Sequence, residues 1–185
     1  MPQYVAFMRA VNVAGHARVS MSDVRAAFAA AGCEKVRTYI QSGNVIFESP
    51  ARKVAALLQA IRAKLRAVLG EVPEGLLRTV REVERLVDES PFTERATKPG
   101  AKFYVAFLSR RVRNRPAFPL VCPKEALEAV AMSDREVFVV SHPKTNGFFG
   151  YPNNFIEKEL GVSATTRNWS TVTKIVELAR READG

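Results

Sequence analysis

Apolar residues along the chain fall into short strand-like runs and longer helical stripes, and their order predicts the fold. "YVAFM", Tyr4 to Met8, is a compact apolar run of β-branched and aromatic character, which predicts a buried strand. In "SMSDVRAAFAAAG", Val24, Ala27, Phe28 and Ala31 recur at helical spacing behind Ser20 as N-cap, with Asp23 three residues on and Gly32 at the C-terminal cap position. "VRTYI" and "NVIFE" read as two strands joined through Ser42-Gly43, a short connection that needs a residue able to take positive φ. A second helix is predicted from about Arg52 to Leu69, with Val54, Leu57, Leu58, Ile61, Leu65 and Val68 on one stripe, and "GLLRTV" closes the set as a strand.

The resulting order, β-α-β-β-α-β, is that of a split βαβ or ferredoxin-like unit. A second set follows. Thr79 and Glu82 have capping-box spacing for a short helix carrying Val83, Leu86 and Val87, which "SPF" ends. "KFYVAFL" (Lys102 to Leu108) then repeats the string "YVAF" of the opening strand. A helix after Pro123, a strand "EVFVV", a helix from about Asn154 to Leu160 capped by Gly161, a short run "ATTR" and a last helix from Ser170 complete the pattern. The expectation is an α+β chain of two ferredoxin-like halves with mixed or antiparallel sheets, 1–90 and 91–185. On "KFYVAFL" the alternation sends Phe103, Val105 and Phe107 to one face and Tyr104, Ala106 and Leu108 to the other, so both faces are apolar. That predicts sheets covered on both sides, which counts against open-sheet RNA recognition.

Composition changes this picture in one respect. The chain has 185 residues, 47% hydrophobic and 25% charged, but 28 Lys+Arg stand against 19 Asp+Glu for a net charge of +9. A surplus of that kind suits an anionic partner, since neutralising phosphates releases counterions. The densest basic run, "SRRVRNRP" (Ser109 to Pro116), follows a strand and reads as a solvated loop. Arg9 interrupts the first apolar run before a secretion signal can form, and no run approaches a membrane span, so a cytoplasmic protein is expected. Cys33 and Cys122 lie far apart without companions, which suggests neither a disulfide framework nor a zinc ribbon.

Standard catalytic constellations are absent by spacing: no nucleophile elbow, no His-Glu-x-x-His, no calcium loop and no dinucleotide fingerprint. "NVAGHARVSM" connects a strand to a helix as a phosphate loop does, but it lacks the first Gly and the Gly-Lys-Ser/Thr ending, and Asp23 opposes an anion there. His16 and His142 lie in polar loops without metal-ligand spacing. In "ATTRNWSTVTKIVELAR" the first helical turn holds no acid, while Arg167 precedes it and Lys174 follows. Free N–H groups, hydroxyls and two cations would make an anion cradle, although capping by Asn168 or Ser170 and anchoring by Trp169 explain the same residues.

"YVAFMRAVNVAG", "VRTYIQSGNVIF" and "FIEKELGVSATTRNWSTVTKIVELA", in that order, resemble the bacterial family called domain of unknown function 1697. The resemblance implies two ferredoxin-like halves and no established activity or cofactor. The chain departs from the family pattern at "RAVNVAG", where Arg-Gly-Ile-Asn-Val-Gly-Gly is usual, and at "GFFGYPNN", where a Gly-x-Ser-Lys-Leu-like stretch is common. The polar positions it marks are Arg9, Asn12, Gln41, Ser42, Asn44, Thr166, Arg167 and Asn168, with Gly43, Trp169 and Ser170 as structural neighbours. A turn needs only Gly43, so the amides and guanidiniums call for other hydrogen-bond partners. Two functions compete, beside a third reading in which the polar strings are structural and knit two halves or two chains together. One is a small anionic ligand held in a cleft by Arg9 and Arg167 and oriented by Gln41 and Asn44, with no evident nucleophile or base. The other is nucleic-acid backbone binding through "SRRVRNRP" and the basic helix face that includes Arg62 and Arg66.

Overall fold

The computed structural model describes residues 1–9, 20–40, 43–51, 53–69, 74–92 and 100–183. Its order is β1 (Gln3–Met8), α1 (Met21–Ala30), β2 (Glu34–Tyr39), β3 (Asn44–Glu48), α2 (Val54–Leu69), β4 (Gly75–Thr79) and α3 (Val80–Glu89), then β5 (Lys102–Leu108), β6 (Leu120–Cys122), β7 (Leu127–Met132), β8 (Glu136–Ser141), α4 (Asn153–Leu160), β9 (Ala164–Asn168) and α5 (Trp169–Ala183). Two compact units emerge, Met1–Glu84 with Ile175–Gly185, and Arg85–Lys174. The class is α+β with two antiparallel sheets.

In the first unit the strands lie in the order β2-β3-β1-β4. One face of the sheet, with Tyr4, Ala6, Met8, Val45, Phe47 and Leu77, packs under α1 and α2. Val24, Ala27 and Phe28 of α1 and Leu57, Ile61 and Leu65 of α2 supply the facing stripe. Phe47 is the hub, stacked on Tyr4 at 5.7 Å and edge-on to Phe28 at 5.2 Å. The α2 stripe is narrower than its sequence suggests, since Val54 and Val68 are exposed. On the opposite face Val5, Phe7, Ile46 and Arg78 are also buried.

The local signals at helix ends hold. Ser20 Oγ accepts from Ser22 N at 3.1 Å, and Gly32 follows α1 with φ +81°. At α3, Glu82 accepts from Thr79 N at 2.7 Å while Thr79 Oγ1 accepts from Glu82 N at 3.2 Å, a reciprocal capping box. Gly161 ends α4 at φ +62° and donates to Glu157 O at 2.9 Å.

The second unit's sheet has the order β6-β7-β8-β5-β9. Here one expectation fails: the segment after Pro123 is not a helix. A single 3-10 turn, Pro123–Glu125, ends where Ala126 takes φ +53°, and the chain continues as β7. "LEAVAM" is rich in helix formers, but Leu127 and Ala129 are buried while Glu128 and Val130 alternate outward, and pairing with β8 outweighs the propensity. The last helix begins at Trp169, one residue earlier than expected. Tyr104, Ala106 and Leu108 pack with Phe155, Ile156 and Val162 on one face of this sheet. Val105, Phe107 and Phe138 are buried on the other, where Phe92 packs against Phe103, Phe138 and Trp169.

The repeated "YVAF" occupies the same register in both sheets. Tyr4, Val5, Ala6 and Phe7 stand opposite Thr79, Arg78, Leu77 and Leu76, and Tyr104, Val105, Ala106 and Phe107 opposite Asn168, Arg167, Thr166 and Thr165. Each partner strand runs directly into a helix. No helix among the described residues is long and apolar enough to cross a membrane.

Candidate functional site

The connection between β2 and β3 is first a hairpin turn. Gly43 has φ +78° and Ile40 φ +51°, and Asn44 Nδ2 donates to Tyr39 O at 3.1 Å, closing the turn from inside. Asn44 is fully buried, and its amide donates within the hairpin. Gln41, Ser42 and Asn12 lie outside the described residues. The hairpin does meet the end of β1: Met8 N donates to Gly43 O at 2.8 Å, and Arg9 N donates to Glu74 O at 2.6 Å on the other side of the same strand end. The Arg9 guanidinium also pairs with the Glu74 carboxylate at 3.5 Å, in an exposed setting where such pairs contribute only about 0–1 kcal/mol.

The other group of marked residues belongs to β9 of the second unit. Arg167 lies inside the strand rather than at the helix start, 9% exposed, with Nη1 donating to Thr166 O at 2.9 Å. Burial brings its pKa down to about 10, against a smaller upward push from Tyr151, so it remains cationic at neutral pH. Thr166 O also accepts from Tyr151 Oη at 2.9 Å, and Thr166 Oγ1 donates to Asn153 Oδ1 at 3.1 Å. Asn168 and Ser170 are exposed, and Thr173 Oγ1 returns to Ser170 O at 3.0 Å. Arg78 is the counterpart in the first unit: 2% exposed, opposite Val5 as Arg167 is opposite Val105, its Nη1 donating to Leu77 O at 2.9 Å. Sequence reading missed Arg78, although the shared "YVAF" register marks it.

A groove of about 520 Å³ in the first unit is lined by Gln59, Arg62, Ala63 and Arg66 of α2 and by Glu74. Helical spacing sets Arg62 and Arg66 on one face, one turn or roughly 6 Å apart. Arg62 Nε is shielded from solvent and has no hydrogen-bond partner among the described residues. An unpaired buried N–H is costly, which makes it a strong donor for any acceptor that enters. Glu74 links this groove to Arg9.

The basic loop is more occupied. Arg110 donates to Gly161 O at 2.9 Å, Arg115 to Ser133 O at 2.7 Å, and Arg111 pairs with Asp134 at 2.8 Å. Burial raises the Cys33 thiol to about 11, leaving it unreactive at neutral pH. No cluster of three metal-ligating side chains occurs among the described residues.

Residues 1–138 match the family model described as "Protein of unknown function (DUF1697)". The chain belongs to that family. The match ends before "FIEKELGVSATTRNWS", so the β9 residues lie beyond the part that the family model covers. The chain resembles the solved structure titled "The structure of conserved bacterial protein SP0830 from Streptococcus pneumoniae", with TM-score 0.62 and 20% identity, over 95% of this chain and 97% of that one. At that identity the likeness shows the fold. A search of the curated proteins matches none of them. The family carries no assigned biochemical activity.

Proposed function

We propose that this DUF1697 protein binds a phosphate-bearing ligand in the arginine-lined groove of its first unit. The observation that carries the proposal is the Arg62 Nε, buried without a partner in a groove that it shares with Arg66. Two guanidiniums, those of Arg62 and Arg66, line the groove with one carboxylate, Glu74, among the described residues, and that balance favours an anion. Gln41 and Ser42 neighbour Gly43 in the chain, and Asn12 follows Arg9, which extends the proposal to the polar positions of the family strings. Arg167 donates to Thr166 O and Asn44 to Tyr39 O, each within its own unit, which supports a role for both inside those units.

The groove suits a compact anion better than a long polynucleotide, because three arginines of the basic loop are engaged locally and add little to a continuous track. Titration with inorganic pyrophosphate by calorimetry tests this. Arg62→Ala is expected to weaken binding about tenfold or more, the cost of one charge-assisted hydrogen bond. Equal affinity in the variant would overturn the proposal. A titration with single-stranded oligonucleotide separates the second function: a backbone ligand gives a steep loss of affinity with salt, a compact one a shallow loss.

The two units are also proposed to be related ferredoxin-like modules. The strand orders β2-β3-β1-β4 and β7-β8-β5-β9 correspond, and the "YVAF" registers with their buried arginines coincide. The second module would have exchanged its first crossover helix for the β6 arm.

A further inference from the structure

A second recess, of about 640 Å³, opens in the first unit where β1 begins and β3 and β4 end. The groove described above adjoins the opposite end of β1, through Arg9 and Glu74. Val80 and Ala179 give the recess an apolar floor, both nearly fully buried, and its volume lies in the usual small-molecule range of about 300–1,000 Å³.

Its charges are mixed. Glu48, 7% exposed, receives Lys35 Nζ at 3.0 Å and Gln3 Nε2 at 3.5 Å. Those donors, Lys35 first, hold its carboxyl below the ordinary range despite the opposing effect of burial, so it is ionised at neutral pH. Glu84 and Arg180 pair across the recess at 3.3 Å. Arg81, on the first turn of α3, is exposed at the wall. A polyanion would meet Glu48 and Glu84; a polycation would meet Arg81 and Arg180. The arrangement favours a ligand that presents one charge of each sign on an apolar body.

We propose that this recess binds a small zwitterion of the amino-acid or dipeptide class, its carboxylate on Arg81, its ammonium on Glu48 and its apolar side chain over Val80 and Ala179. Arg81 supplies two parallel N–H donors to a carboxylate, the geometry that makes such pairs selective. Glu48 accepts only, as an ammonium ligand requires. The site is independent of the phosphate groove and shares no lining residue with it.

Calorimetric titration of the full chain with L-leucyl-L-leucine tests the assignment. Binding is expected, with about tenfold loss on either N-acetylation or C-terminal amidation of the dipeptide, because each removes one charged contact. Arg81→Ala should reduce affinity for the free dipeptide while leaving affinity for the amide unchanged, and its exposed position keeps the fold intact. Glu48→Gln should do the same with respect to the N-acetyl compound. Absence of binding at millimolar dipeptide, or equal affinity for the free, acetylated and amidated forms, would overturn the proposal.

Discussion

Asn44 and Gly150 show how much of this chain's polar and small-residue pattern serves the fold. Asn44 closes its hairpin through Tyr39 O with no exposure to solvent. Asn44→Ala leaves that carbonyl short of a buried donor, and a loss of about 1–3 kcal/mol is expected in chemical denaturation. Gly150 has a different cause: a Cβ there would stand 2.2 Å from Glu125 O, so Gly150→Ala must move backbone. A lowered melting temperature is expected, with no change in pyrophosphate affinity. At Glu48 the prediction concerns pH. Its folded pKa is depressed, first by Lys35, so its stabilising contribution is present above the ordinary carboxylate pKa and is lost as pH falls through the folded value. Lys35→Met should therefore flatten the acid limb of a stability-versus-pH curve, read by thermal melts between pH 6 and about pH 3. None of these roles was legible in sequence beyond residue type. "QSGN" advertised a turn through Gly43, but whether Asn44 faced a ligand or its own backbone depends on burial, which local sequence does not encode.

At the scale of elements, sequence was most informative where a local rule has a local cause. The Thr79–Glu82 capping box and the left-handed glycines after α1 and α4 were readable because their partners lie within four residues. Thr79→Ala should cost about 0.5–2 kcal/mol of stability, and Glu82→Gln, which keeps an acceptor, less. The segment after Pro123 departs from the expected helix for the converse reason. Its Leu, Ala and Glu content favours helix, and only the long-range ladder to β8, with Ala126 forced left-handed, makes it a strand. The duplicated "YVAF" carried more than its length suggested, since the two copies share a register as well as a string. That register locates Arg78 and Arg167 as equivalent buried cations, information spread over two strands in each unit and invisible to a scan along the chain.

For the whole molecule, the net charge of +9 is interpreted through the neighbours of particular arginines. Arg110, Arg111, Arg115, Arg167 and Arg78 make bonds within their own units, whereas Arg62 has a nitrogen buried without a partner beside Arg66. The proposed phosphate site therefore rests on α2, at the groove that Arg62 and Arg66 share with Glu74. The measurement that tests this most directly is a crystal structure of the protein soaked with inorganic pyrophosphate. The account predicts a phosphate group in the groove, hydrogen-bonded to Arg62 Nε and Arg66; a groove left empty at saturating pyrophosphate, or an anion bound away from α2, would contradict it.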